Sequence, residues 1–159
     1  VTPTTLVIDS LPVYQYTQAE AELWGGEALL EGDIGNGLIA RGRIEAVRGT
    51  NLAAHEPLPL MPPLRGSVAL SLRDRLGVEV EGYAKQTRLN PLDVPTAGYG
   101  LLNLFGGGDV RALGRPWRID VTLHNALNKR YRSFLSRYKE FADDPGRNLT
   151  FRLSTGFVD

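Results

Sequence analysis

Arg147-Asn-Leu-Thr-Phe-Arg-Leu-Ser-Thr-Gly-Phe157 is the stretch whose reading decides the fold. Leu149, Phe151, Leu153 and Phe157 fall on one face, with Thr155 between them. Asn148, Thr150, Arg152, Ser154 and Gly156 fall on the other. Successive side chains of a strand point to opposite faces, so this is a β-strand with one apolar face. Across a long polar loop, the preceding stretch repeats the pattern. Trp117, Ile119, Val121 and Leu123 alternate with Arg118, Asp120, Thr122 and His124. Both stretches have about the length of a tilted membrane-spanning strand, roughly 9–11 residues.

Alternation alone leaves two environments open. A soluble β-barrel or β-sandwich turns its apolar face inward and could bind a small apolar ligand. A membrane barrel turns that face to lipid and its ionic face to a wet lumen. An Arg or Lys on the lipid face costs about 2–4 kcal/mol at mid-bilayer. No charge interrupts the apolar face of either strand.

Composition narrows the class. The 159 residues are enough for one domain. A net charge of zero, without a Lys/Arg run, argues against nucleic acid as a partner. There is no cysteine, hence no disulfide or thiolate metal site. No apolar run approaches the ~18–20 residues of a transmembrane helix. Val1-Thr-Pro-Thr-Thr5 carries no secretory signal, so an exported protein would be represented by a mature or partial chain. Glycine and proline spread among short segments point to an all-β class.

Working outward, residues 1–12 read as loop. Val13 to about Glu31 reads as a strand with Ala19, Ala21 and Leu23 on one face and Glu20, Glu22 and Trp24 on the other. Gly25-Gly26 followed by Glu27 predicts a β-bulge. A helix over Ala19–Leu30 is the competing reading, disfavoured by the glycine pair. Gly32–Gly37 is a tight turn. Leu38–Thr50 is a strand with Arg41, Arg43 and Glu45 on its polar face. The proline-rich Pro57–Leu64 lies outside the sheet. Ser67–Leu72 and Val78–Gln86 form a hairpin, with Glu79, Glu81 and Lys85 on the polar face. Gly98–Phe105 is a strand, and Gly106 to Gly114 a connection. Tyr131, Phe134, Tyr138 and Phe141 recur at helical spacing, which predicts a short helix in the last loop. About seven strands result, joined alternately by short turns and long loops, the asymmetry of outer-membrane barrels.

Catalytic chemistry is poorly supplied, and no enzyme and no cofactor is expected. Glu79 and Glu81 are the one carboxylate pair on a common face, and they read better as a polar strand face than as a glycosidase acid and base. His55 and His124 are the only histidines, too few for a His-based metal site or a triad. Asp74, Asp93, Asp143 and Asp144 fall in turns and loops. Gly106-Gly-Gly108 lacks the Lys and helix of a phosphate-binding loop.

His124-Asn-Ala-Leu-Asn-Lys-Arg-Tyr-Arg132, then Pro145-Gly-Arg-Asn148 and a last strand ending near Phe157, resembles the C-terminal end of TonB-dependent outer-membrane receptors. Ala21-Glu-Leu-Trp-Gly-Gly-Glu27, the Pro57–Pro63 loop with Arg65, and Asp93-Val-Pro-Thr96 with Tyr99 and Asn103 are similar to further segments of that family, in the same order. Here Val158-Asp159 follow the final aromatic. The resemblance implies an all-β antiparallel meander, residues 13–159, forming the C-terminal portion of a barrel of about 22 strands. The plug, the earlier strands and the TonB-contacting segment would lie upstream. It implies uptake of a scarce ligand across the outer membrane of a Gram-negative-type bacterium: an iron–siderophore, haem, cobalamin or a metal ion. On this reading the lipid bilayer covers the apolar face. Lumen candidates are Arg41, Arg43, Glu45, Glu79, Glu81, Lys85, Arg118, Asp120, His124 and Arg152. Outer-loop candidates are His55, Met61, Tyr131, Arg132, Arg137, Tyr138 and Lys139. Trp117 and Phe157 would form an interfacial girdle at the tight rim.

Overall fold

The structure, a computed structural model, describes residues 2–15, 18–73 and 75–156. Its strands are β1 (Thr2–Ile8), β2 (Leu11–Gln15), β3 (Ala21–Asp33), β4 (Leu38–Asn51), β5 (Glu56–Pro57), β6 (Arg65–Leu72), β7 (Leu76–Tyr83), β8 (Tyr99–Ala112), β9 (Arg115–His124) and β10 (Asn148–Thr155). The long strands form one antiparallel sheet in the order β10-β9-β8-β7-β6-β4-β3, and β5 pairs with the end of β4. Each long strand lies beside its sequence neighbour, as the all-β meander of about seven strands requires.

Turn chemistry sets the tight rim. Asp33 Oδ1 accepts from Gly35 N (2.7 Å), and Ile34 N donates to Leu38 O (2.8 Å). Gly35, Asn36 and Gly37 all take positive φ there, which glycine and asparagine adopt most readily. Leu113 and Gly114, both at positive φ, turn β8 into β9. The opposite rim carries the long loops, 52–64, 84–98 and 125–147.

Five sequence expectations are corrected, the first being Pro57, read as outside the sheet but paired with Thr50 in β5. Residues 2–15, read as loop as far as residue 12, form a separate hairpin of β1 and β2, with Asp9 and Ser10 at positive φ in its turn. β3 has no bulge: its register with β4 runs unbroken from Ala21↔Asn51 to Asp33↔Ile39. The strand keeps one parity, and it is Ala21 and Leu23 that share a face with Glu27. Gly25 is required for a different reason, because a Cβ there would come within 2.5 Å of the Ala46 carbonyl oxygen. Gly106-Gly-Gly108 lies inside β8 rather than in a connection. The segment from Tyr131 to Phe141 folds as successive turns, not a helix.

The register divides the sheet cleanly. One face carries Ala28 and Leu30 of β3, Ala40 and Ile44 of β4, Val68 and Leu70 of β6, and Val78 and Val80 of β7. It continues through Leu102 and Leu104 of β8, Ile119 and Val121 of β9, and Phe151 and Leu153 of β10. These side chains are not packed into an interior: Leu30 is 79% and Phe151 69% exposed. Among the described residues, Phe134 in the last loop is the one buried apolar side chain. From Leu38 to Ala46 the outward side of β4 is free of charge. At ~3.4 Å per residue and a strand tilt near 40° this makes an apolar band about 21 Å high, close to the ~25 Å of membrane barrels.

Candidate functional site

The other face is ionic, and neighbouring strands bring its charges together. Arg41 Nε donates to Glu31 Oε2 at 2.6 Å. Arg43 reaches Glu27 (3.3 Å) and Glu45 (2.9 Å), and Arg65 pairs with Glu45. On the far side of the sheet Arg118 pairs with Asp120 (3.0 Å) and approaches Asp109 (3.8 Å), while Arg152 stands opposite Asp120 in the register. Half-exposed pairs like these contribute little stability singly, about 0–1 kcal/mol. Their consequence is chemical: they give the face a polar, hydrated lining.

Glu79 and Glu81 lie between these clusters. The Asn103 amide, buried on β8, donates to Glu79 Oε2 (3.2 Å) and to Glu81 Oε1. Tyr83 Oη donates to Glu81 Oε2 at 2.7 Å. Asn103 Oδ1 in turn accepts from Asn125 N (3.0 Å), where the last loop begins. A shared amide bridge explains how two carboxylates coexist on one strand face. Tyr83 stacks on Tyr99, and Tyr99 on Tyr131, each with centroids 4.5 Å apart. This aromatic file runs from the sheet into the last loop.

The three long loops are locked to one another. Gln86 Nε2 donates to Met61 O (2.8 Å), and Asn90 Nδ2 to Pro57 O (2.8 Å). Asp93 accepts from Leu60 N (3.1 Å) and meets Lys139 Nζ. Arg132 bonds to Asp143 (2.8 Å) and to the Lys139 and Glu140 carbonyls. Leu58 and Met61 sit over Gly49, whose own face is the ionic one, so the proline-rich loop folds inward. A cleft of about 620 Å³ opens between 94–99 and the last loop, lined by Tyr99, Tyr131, Lys129, Arg130 and Arg132. Burial and the neighbouring Asp144 carboxylate hold the Tyr131 phenol above its ordinary pKa.

The expected lumen residues therefore split. Arg41, Arg43 and Glu45 gather in one cluster, Glu79 and Glu81 in a second, and Arg118, Asp120 and Arg152 in a third. His124 closes β9, exposed, opposite Asn148. Lys85 lies past the end of β7 and belongs to the loop rim. Among outer-loop residues, Tyr131, Arg132 and Lys139 join the interlocked loops, and Met61 points inward. His55, Arg137 and Tyr138 stay at the surface. Trp117 stands at the tight rim, its Nε1 donating to Ala112 O at 3.0 Å. Phe157 lies outside the described residues. Sequence reasoning missed Glu27, Glu31, Arg65 and Asn103, because only strand register reveals them. It also placed Trp24 on the polar face. Trp24 is in fact outward, at the loop rim, with the Arg48 guanidinium 5.0 Å from its ring centroid.

No family model and no curated protein sequence matches the chain. Among solved structures it is similar to the copper transporter OprC, with a TM-score of 0.74 and 19% identity over 89% of this chain. The fold is that of a transmembrane β-barrel wall. The chain spans 24% of the length of that transporter. β3 and β10 have no further strand beside them among the described residues. Unpaired backbone at such edges is not tolerated in hydrocarbon.

Proposed function

We propose that this chain is a C-terminal sector, residues 13–159, of the barrel wall of a TonB-dependent outer-membrane receptor that takes up a scarce ligand. The observation that carries the reading is the separation of faces across seven strands. Aliphatic side chains stand exposed on one side, and paired charges line the other. A soluble barrel or sandwich holding an apolar ligand would need the opposite, a dry interior built from that aliphatic face. The likeness to a transporter fold supports transport as the activity, and the family resemblance supports the plug, the earlier strands and TonB as partners beyond this chain.

The transported ligand would be an iron–siderophore, haem, cobalamin or a metal ion. The neighbour's cargo, copper, favours asking about metals first. The wall itself supplies no group of three or more His, Asp or Glu suited to a metal among its described residues. Ligand contacts would come from the loop cleft by Tyr99 and Tyr131 and from the ionic face, together with segments outside this chain.

The test is expression of the full-length gene in an outer-membrane-competent host. The expected result is a detergent-requiring protein, heat-shifted on gels, whose deletion abolishes energy-dependent uptake of one of these ligands. A full-length protein that is monomeric in water without detergent overturns the reading.

A further inference from the structure

Where β4 outruns β6 the sheet opens. Pairing of the two strands stops at Glu45↔Arg65, while β4 continues to Asn51. The gap is a cleft of about 300 Å³. Ala46, Leu64 and Ala84 line it together with Val47, Gly49 and the inward Met61, so the gap passes through the wall, and Arg48, Lys85 and Arg88 give it three cations. No carboxylate lines it. None of the three cations forms an ion pair with a described carboxylate. Arg88 Nη2 donates weakly to Thr50 Oγ1 (3.4 Å), and the Arg48 guanidinium rests on Trp24.

The depth of this cleft matters. On the outward face of the seven strands, the described ionic residues are Glu22 and Arg48 at the loop rim and Arg115 at the tight rim. The cleft thus borders the charge-free band. That is the level at which indoles and the heads of long cationic side chains collect in membranes. Ala46 keeps the outward parity of Ile44, so this wall runs on into that band, and Ala84 N bonds to Leu64 O (2.9 Å) across the cleft from it.

We propose that this cleft holds the phosphate of a membrane lipid from the adjoining leaflet. Arg48, Lys85 and Arg88 neutralise the phosphate, and the acyl chains descend along Ala46, Leu64 and Ala84. The apolar walls and Trp24 select a lipid over free phosphate. The proposal rests on the membrane reading above.

Native mass spectrometry of the full-length receptor in mixed micelles tests it, with phosphatidylglycerol and phosphatidylcholine as probes. Folding of each variant is checked by its heat-dependent gel shift. The receptor is expected to retain phosphatidylglycerol preferentially. Lys85→Gln, at an exposed side chain, should weaken retention about fivefold. The triple variant Arg48→Gln/Lys85→Gln/Arg88→Gln should abolish the preference, whereas Arg137→Gln in the last loop leaves it intact. Inorganic phosphate should not displace the lipid. Unchanged retention in Lys85→Gln and in the triple variant overturns the proposal. So does displacement by inorganic phosphate, which would assign the cations to a soluble anion. A receptor that needs no detergent would instead defeat the membrane reading, before any lipid is added.

Discussion

Lys139 Nζ lies 3.7 Å from Asp93 Oδ1, with both side chains almost completely buried, 6% and 4% exposed. The ammonium also donates to Phe134 O (2.9 Å) and sits 3.9 Å from the Phe134 ring centroid. Asp93 accepts from Leu60 N, so the pair ties the loops 52–64, 84–98 and 125–147 at one point. Removing one member leaves the other as a buried charge without its counter-ion, a loss of about 3–5 kcal/mol. Asp93→Ala and Lys139→Met should each release the loops while sparing the strands. Limited proteolysis should cut near 87–98 and 127–146 in both variants and leave the barrel fragment intact. The double variant Asp93→Leu/Lys139→Met should regain part of the protection, since it buries no lone charge.

Gly49 tests whether the proline-rich loop belongs inside. A Cβ at that position would meet Met61 Sδ at 2.7 Å and Leu58 Cδ1 at 2.8 Å. Leu58 N also bonds to Gly49 O (3.0 Å), so the loop cannot retreat without breaking a backbone bond. Gly49→Ala should cost about 1–3 kcal/mol. In a full-length receptor it should raise the accessibility of a cysteine placed at Met61 to a thiol reagent. Equal labelling rates in the two backgrounds would contradict the inward placement.

Much of this arrangement was legible from alternation alone. The β9–β10 hairpin carries both its faces in the order of its residues, and Leu149, Phe151 and Leu153 share one face as read. Alternation failed where it was weakest. In β3, Leu23 and Leu29 share the ionic face with Glu27 and Glu31, so apolar residues there do not mark the lipid side. Only cross-strand partners settle the parity: Arg41 against Glu31, Arg43 against Glu27. The helical spacing of Tyr131, Phe134, Tyr138 and Phe141 had another origin. Tyr131 stacks on Tyr99 and Phe134 receives Lys139, whereas Tyr138 and Phe141 are exposed, so these aromatics share no helix face. The hairpin of β1 and β2 depends on a turn at Asp9-Ser10 that carries no glycine to announce it.

Face assignment has a direct energetic test in two adjacent residues. Phe151 faces outward opposite Val121, and Thr150 faces the ionic side opposite Thr122. Phe151→Arg places a guanidinium near the middle of the apolar band and should lower membrane-folding stability by about 2–4 kcal/mol. Thr150→Arg, one residue away, should change it by less than about 1 kcal/mol. Denaturant-driven unfolding of the full-length receptor from lipid vesicles measures both. Equal losses would mean that the two faces see the same medium.

Asn103 should behave as a structural keystone of the ionic face. Its side chain joins Glu79, Glu81 and the Asn125 backbone. Asn103→Leu removes the amide between two carboxylates and orphans the Asn125 N–H, a loss of about 1–3 kcal/mol. Neutralising one of the acids should then relieve the repulsion. Asn103→Leu/Glu79→Gln is therefore expected to be more stable than Asn103→Leu alone. An additive double variant would show that the amide does not mediate between the carboxylates.

Tyr131 gives the loops a pH signature with a definite sign. Burial first, then the carboxylates of Asp144 and Glu81, raise its folded pKa above the ordinary 10.0. The folded state therefore favours the neutral phenol, and below pH 10 that preference stabilises the loops in full. As pH rises past 10 the unfolded chain ionises first, so this contribution declines through the folded pKa. The ultraviolet difference titration of the native receptor against Tyr131→Phe should show the missing phenol ionising above the ordinary 10.0. Protease resistance of the last loop should fall over the same alkaline range in the native receptor and stay flatter in Tyr131→Phe. A difference step at or below pH 10 would separate Tyr131 from the burial and the carboxylates that hold its phenol up.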